Sequence, residues 1–139
     1  MLRQIVEVLE EYGLFGLTID ELGTGLINQT WKIKMDDGRN LVLQCVNPVF
    51  PASVNEAIFQ LTQHLKAKGQ LTAELIPNLK GSFSTFYADD NWRLMTFVEG
   101  VSYDALTTAE QAYEAGAALA TFHAAVADLD IEFSHQRPH

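Results

Sequence analysis

Hydrophobic residues recur along the first third of the chain at helical spacing and then at strand spacing. Residues 2–12 carry apolar side chains three and four positions apart, which predicts a helix that Gly13 can end. Alternation of apolar and polar residues then predicts three strands, over residues 17–22, 29–35 and 41–46. Asp36-Asp37-Gly38 is a hairpin signal between the last two of them. Because the connections are short, the strands are expected to pair antiparallel.

The middle of the chain predicts another helix and another hairpin. Ser53-Val54-Asn55-Glu56 has the form of a capping box, which places the start of a helix at Ser53 and a plausible end at Gly69. The hairpin is predicted from two strands, Leu79–Tyr87 and Trp92–Val98, with a turn at residues 88–91.

The last helix is predicted from Thr108, which with Gln111 forms a second capping candidate, to about Asp128. The element order is therefore helix, three strands, helix, two strands, helix. This order predicts an α+β fold with one mostly antiparallel sheet of about five strands and flanking helices.

Composition narrows the classes of partner. The 139 residues carry a formal net charge of −9, and 47% of them are hydrophobic. An acidic surface repels phosphate backbones, so we expect neither nucleic acid nor an anionic membrane as a partner. This charge does not exclude a local phosphate pocket built from backbone amides.

The number of cysteines and the first residues of the chain indicate in which cellular compartment the protein is expected. Cys45 is the single cysteine, which excludes an intrachain disulfide and a cysteine-rich zinc site. Glu7, Glu10 and Glu11 interrupt the apolar run that a signal peptide would need. No stretch approaches the roughly 18–20 apolar residues of a membrane span. We therefore expect a soluble, cytoplasmic protein.

Gly23-Thr24-Gly25 lies between two predicted strands. A glycine-rich hairpin allows backbone amides to approach a phosphate without interference from Cβ atoms. The sequence is not a P-loop, because no Gly-Lys-Ser/Thr follows, and it does not open a helix as a dinucleotide fingerprint would. An ordinary tight turn is the alternative interpretation.

The element order and five short stretches resemble the aminoglycoside phosphotransferase and choline kinase-like superfamily, most of all sugar kinases of the N-acetylhexosamine 1-kinase type. The stretches are GTGLINQTW at 23–31, LQCVNPVF at 43–50, His64-Leu65, WRLMTFVEG at 92–100 and LATFHAAV at 119–126. The resemblance implies a kinase-like nucleotide-binding N-lobe over residues 1–100. It implies the hinge and the first helix of a truncated helical C-lobe over residues 101–139.

The resemblance also implies roles for individual residues in binding ATP or GTP. The nucleotide-binding candidates are Gly23, Thr24, Gly25, Asn28, Gln44, Glu56, Thr96 and Val98. The glycine hairpin would cover the phosphates, and backbone groups of the segment from Thr96 to Glu99 would bind the base. Gln44 matches the position of the lysine that grips the α- and β-phosphates in protein kinases, but it carries no charge.

Two of these candidates have structural alternatives. Gln44 could be a strand residue that faces the surface. Glu56 matches the carboxylate that faces the lysine in kinases, but at the third position of a capping box it would bond the local backbone instead. Asp128 and Asp130 are interpreted as the end of a helix rather than as a metal site, and no histidine shows metal-ligand spacing.

The family's catalytic run, H-G-D-x-x-x-x-N, and its later magnesium-binding aspartate do not occur in this sequence. We therefore assign no catalytic or metal-binding residue, and we expect Mg²⁺ only in a full-length enzyme. The leading interpretation is the N-lobe of a small-molecule kinase, which transfers a γ-phosphoryl group to a hydroxyl of a sugar-like substrate and is inactive as a fragment. The alternative is a stand-alone, non-catalytic α+β binding or regulatory module.

The last predicted helix has few charges. Within residues 112–127, Glu114 is the one acidic or basic residue apart from His123. A helix that is apolar on nearly all sides requires cover on nearly all sides, so we expect a homodimer through helix 108–128. The alternative is that this helix folds back over the open face of the sheet in a monomer.

Overall fold

One antiparallel sheet organises the part of the chain that the computed structural model describes, residues 1–23 and 27–132. In these residues three helices accompany six strands. The helices are α1 (Leu2–Glu10), α2 (Ser53–Ala67) and α3 (Ala109–Val126). The strands are β1 (Thr18–Glu21), β2 (Gln29–Lys34), β3 (Asn40–Val46), β4 (Leu75–Ile76), β5 (Thr85–Tyr87) and β6 (Asp90–Thr96).

The strand order is β1-β2-β3-β6-β4, and β5 also pairs with β6. The first three strands form the predicted meander, with Gly38 at φ +86° in the turn between β2 and β3. That positive φ favours glycine, because a Cβ atom strains the left-handed region. The strands β3 and β6 lie side by side although α2 and both short strands separate them along the chain.

The two faces of the sheet have different partners. On one face, apolar side chains of β2, β3 and β6 pack against α1 and form the core. The rings of Trp31 and Trp92 stack there with 5.5 Å between their centroids. The most deeply buried core members are Ile5, Val8, Ile33, Leu43, Trp92 and Leu94. Because side chains alternate along a strand, residues between these core positions lie on the opposite face.

The predicted strand Leu79–Tyr87 is wrong in its first part. Residues 77–84 form a loop, and the edge of β6 is instead shared by the two short strands β4 and β5. Pro77 cannot donate a hydrogen bond to a neighbouring strand, and the Asn78 side chain accepts hydrogen bonds from the backbone N–H groups of Lys80 and Ser82. The sheet consequently has six strands rather than about five.

The predicted capping box at Ser53 is also wrong. The N-cap of α2 is Ala52, without a side-chain cap, and the Val54 N–H donates to the Pro51 carbonyl 3.0 Å away. The helix does begin at Ser53, but Ser53 is its first helical residue and not the N-cap that the box requires. The second candidate is confirmed, because the Thr108 hydroxyl accepts a hydrogen bond from the Gln111 N–H at 3.1 Å.

Helix α3 packs against α2 rather than folding back over the sheet. Ala125 is its one buried residue, and Leu119 is 56% exposed. Within residues 1–23 and 27–132, no helix has the length and apolar character to cross a membrane.

The burial of Leu94 predicts how far the free energy of unfolding falls when its side chain is shortened. Leu94 is fully buried, so Leu94→Ala should lower the free energy of unfolding by about 2–5 kcal/mol, through lost transfer energy and a residual cavity. Leu71→Ala is the matched control, because Leu71 is 84% exposed. Urea denaturation measures both changes, and equal losses in the two variants would contradict this description of the core.

Candidate functional site

A row of polar side chains crosses the sheet on the face opposite the α1 core. Thr30 on β2 is paired with Gln44 on β3, and Gln44 is paired with Arg93 on β6. Directly paired residues on neighbouring strands present their side chains to the same face. We call these three residues the polar row.

Hydrogen bonds fix the amide of Gln44 within the polar row. Its Nε2 donates to the Thr30 hydroxyl at 3.2 Å, and its Oε1 accepts from Arg93 Nε at 2.9 Å. A guanidinium has no acceptor atom, so the amide oxygen must face Arg93 and the amide nitrogen must face β2. Gln44 is therefore half-buried and hydrogen-bonded on both sides, and its predicted contact with a phosphate stays a prediction.

Helix α2 supplies a fourth member of the site. Arg93 Nη1 donates to Asn55 Oδ1 at 3.2 Å, and Asn55 is 1% exposed. The Asn55 amide nitrogen donates in turn to the Ser84 hydroxyl at 2.8 Å. Burial lowers the pKa of Arg93 from its usual value, although an arginine stays protonated near neutral pH.

Gly23, the first residue of the predicted glycine hairpin, follows Leu22, whose N–H donates to the Thr30 carbonyl at 2.9 Å. Gly23 has φ +58°, which favours glycine at that position, while Thr24 and Gly25 lie outside the described residues. Asn28 Oδ1 accepts a hydrogen bond from the Asn47 N–H at 2.9 Å, which joins the residue before β2 to the residue after β3. Asn28 and Arg93 line one pocket of about 130 Å³, together with residues Ile27, Val46, Phe50, Val54 and Ile58.

The structure does not bring Glu56 to Gln44. Glu56 is exposed, and its Oε1 accepts a hydrogen bond from Gln60 Nε2 along α2 at 3.4 Å. The residue of α2 that faces the polar row is Asn55, one position earlier. A shift of one residue turns a helix by about 100°, which is sufficient to move a side chain from the sheet to solvent.

The predicted hinge leaves the sheet at the end of β6. The Thr96 N–H donates to the Glu74 carbonyl, and the Thr96 hydroxyl accepts from the Glu74 N–H, both at 2.9 Å. Val98 is exposed, and Glu99 accepts a hydrogen bond from the Asn40 side chain at 3.2 Å. The Thr96 N–H is therefore already bonded within the fold, and the predicted binding of a base by this segment depends on the residues after Thr96.

Asp128 has a structural role between two helices. One of its oxygens lies 3.0 Å from His64 Nε2, and the other lies 2.7 Å from Lys68 Nζ. Lys68, followed by His64, lowers the pKa of the Asp128 carboxyl below its usual value. His64 Nε2 also lies 2.9 Å from the Ala125 carbonyl near the end of α3. Within the described residues, no group of three or more His, Cys, Asp or Glu side chains is arranged to hold a metal ion.

Sequence reasoning missed Arg93 and Asn55. One sequence feature could have indicated Arg93, since it is a charged residue inside an apolar strand. Alternation along Trp92–Thr96 places it on the face opposite Trp92 and Leu94. Asn55 was assigned to the capping box instead, and no local signal indicates that it contacts β6.

Comparison with known proteins decides the family. The sequence model of the phosphotransferase enzyme family matches residues 18–138. The chain belongs to this family. A curated relative is homoserine kinase of Neisseria meningitidis serogroup B (strain ATCC BAA-335 / MC58), which is 27% identical over 124 residues. This match covers 87% of the chain and 39% of the relative.

Two solved structures share the fold. An aminoglycoside phosphotransferase from Alicyclobacillus acidocaldarius superposes with a TM-score of 0.67 at 15% identity, over 91% of this chain and 37% of that one. Spectinomycin phosphotransferase in complex with ADP and spectinomycin superposes with a TM-score of 0.66 at 14% identity, over 95% and 39%. The predicted kinase-like α+β fold and the predicted superfamily are confirmed. The chain spans about two-fifths of the length of these relatives.

The surroundings of Cys45 on β3 predict that its thiol reacts slowly with alkylating reagents. Burial, with a further contribution from the nearby Asp90, raises the pKa of the Cys45 thiol to about 11. The thiolate is the reactive form, so alkylation by iodoacetamide at pH 8 should be on the order of a hundredfold slower than for a free cysteine peptide. The rate should rise up to about pH 11 and become ordinary in urea. An ordinary rate in the folded chain at pH 8 would contradict the placement of Cys45.

Proposed function

We propose that this family member provides the nucleotide-binding N-lobe of a small-molecule kinase, which transfers a γ-phosphoryl group from a nucleotide to a substrate hydroxyl. The observation that carries the proposal is the hydrogen-bonded polar row of Thr30, Gln44 and Arg93, in a chain of the phosphotransferase family. Phosphoryl transfer depends mainly on positioning and on electrostatic stabilisation of the phosphates, which such donors can provide.

Individual residues take distinct parts in this proposal. The hairpin of Gly23, Thr24 and Gly25, with Asn28, covers the phosphates, and Gln44 donates a hydrogen bond to them. The backbone near Val98 binds adenine or guanine, because the Thr96 N–H is already bonded to Glu74. Support for use of a nucleotide comes from the relatives, one of which was solved with ADP.

We propose two regions in this chain, and we assign the catalytic groups to residues outside the described part of it. Residues 1–100 form the N-lobe, and residues 101–139 form the hinge and the start of the helical lobe. We assign Mg²⁺ and the catalytic carboxylate to a part of the full-length enzyme outside the described residues, in which no three His, Cys, Asp or Glu side chains are grouped around a metal position. The chain by itself is then inactive. Its single cysteine accords with a cytoplasmic location.

The acceptor substrate is proposed as a sugar-like molecule with a free hydroxyl. The relatives named above are a homoserine kinase and two aminoglycoside-type phosphotransferases, so they differ in the acceptor. Phosphorylation assays of the full-length protein with a panel of hexosamines, homoserine and aminoglycosides distinguish these classes. Turnover of homoserine alone would overturn the sugar assignment and leave the kinase assignment intact.

Nucleotide binding gives the direct test of the proposed function. A ligand at about 100 times its dissociation constant stabilises a protein by roughly 2.7 kcal/mol, which raises Tm by several degrees in a domain of this size. We expect this shift with excess ATP or GTP. In the full-length enzyme, Gln44→Ala should weaken nucleotide binding and leave folding nearly unchanged.

Gln63→Ala on the exposed side of α2 is the control for this experiment. It should bind nucleotide as the wild-type does. Tm without nucleotide checks folding in both variants. A Tm that stays flat with millimolar ATP and GTP, with and without Mg²⁺, would argue against nucleotide binding by this chain. Unaltered kinetics of Gln44→Ala would assign Gln44 to the surface of the strand alone.

We also propose that the chain forms a homodimer through helix 108–128. Leu119 is 56% exposed and Phe122 is 38% exposed on α3, and Ala120 and Ala124 are exposed as well. A large exposed apolar patch marks a site of association, and small residues permit close approach of two helices. A twofold dimer is the simplest closed arrangement.

Light scattering at micromolar concentration tests the dimer. We expect a dimeric mass that becomes monomeric when Ala120 and Ala124 are both replaced by Glu. The control replaces Gln63 and Ser102 by Glu, since both are exposed and lie outside α3. A monomeric wild-type mass would exclude this assembly, and dissociation of the control would show that added charge alone is responsible.

A further inference from the structure

Arg93 carries a positive charge that the described residues do not neutralise. The salt bridges of residues 1–23 and 27–132 do not include it, so no carboxylate oxygen in those ranges lies within 4.0 Å of its guanidinium. Its hydrogen-bond acceptors are instead the neutral amide oxygens of Gln44 and Asn55. A partly buried charge without a counter-ion is costly, which makes an anionic ligand the natural partner.

Asn55 holds Arg93 in place without cancelling its charge. The neutral amide oxygen lies 3.2 Å from Nη1, where an acidic residue would form an ion pair. The acidic neighbour Glu56 is exposed and bonded to Gln60. Helix α2 thus presents a neutral acceptor to the sheet and directs its carboxylate to solvent.

Arg93 also determines which end of Gln44 is available to a ligand. Because the guanidinium accepts no hydrogen bond, Gln44 presents its oxygen to Arg93 and its nitrogen to β2. An amide nitrogen carries two N–H groups, and Thr30 accepts from one of them. Among the described residues, the hydrogen bonds of this nitrogen include no second acceptor, so the other N–H is left for an anion. Arg93 and Asn28, which follows the predicted glycine hairpin, line the same pocket.

We infer that Arg93 takes the place of the missing strand lysine: it positions Gln44 as a hydrogen-bond donor to the nucleotide phosphates and supplies the positive charge that those phosphates require. The inference rests on the proposed nucleotide-binding function. It places the positive charge for the phosphates on β6, whereas the lysine of protein kinases would place it on β3. Arg93 is a positioning residue, since it acts on the phosphates through Gln44 and through its field.

The test compares the affinities for ADP and adenosine in the full-length protein, by calorimetry without added metal. Arg93→Met should weaken ADP binding by about tenfold to a hundredfold, because it removes a charge-assisted network, and should leave adenosine binding unchanged. The double variant Arg93→Met with Gln44→Lys should recover most of the ADP affinity, because it returns a positive charge to the same face.

Two further variants cover poor folding of Arg93→Met and provide a matched control. Asn55→Asp retains Arg93 and places a carboxylate beside it, so it should lower ADP affinity relative to adenosine even if Arg93→Met folds poorly. Arg39→Met is the matched control, because Arg39 is exposed and paired with Asp37. It should leave the ratio of the two affinities unchanged.

The possible failures are distinguishable. If wild-type protein does not bind ADP, the proposed nucleotide-binding function is overturned, and this inference with it. If wild-type protein binds ADP but the variants at Arg93 and Asn55 lose ADP and adenosine affinity by the same factor, Arg93 is structural and the inference alone is overturned. An unchanged ratio with unchanged affinities overturns it as well.

Discussion

The pairing of β3 with β6 is the interaction on which the rest of the structure depends. It joins two seven-residue strands that are separated along the chain by α2 and both short strands. On one face it sets Leu43 beside Leu94, both fully buried, and so completes the core beneath α1. On the other face the same register sets Gln44 beside Arg93. A slip of one residue would exchange the faces and destroy the core and the polar row together.

The two faces explain how a neutral glutamine and a charged arginine can share a mostly apolar sheet. The core face is mostly apolar, and its burial provides the stability that holds the strands in register. The opposite face is partly covered by α2, whose buried Asn55 satisfies the guanidinium. The polar row is therefore rigid, because its members are held by the sheet backbone and by one another. Such a row is well suited to hold a ligand whose charge it complements.

Helix α3 has a different relation to the fold. Its polar contacts to α2 lie at its C-terminal end, where His64 lies 2.9 Å from the Ala125 carbonyl, while most of its apolar side chains are exposed. A groove of about 640 Å³ separates the two helices. The relatives that share this fold are more than twice as long as the chain.

Local sequence was sufficient to predict the helices, the meander and the family. These follow from local periodicity, from turn residues such as Gly38, and from short motifs in order, all of which act over a few positions. Three features required the folded chain: β4 and β5 share one edge of β6, Asn55 rather than Glu56 faces the sheet, and Arg93 contacts Gln44. Those outcomes depend on strand register and helix rotation between segments tens of residues apart, and such long-range packing leaves no periodic trace in the local sequence.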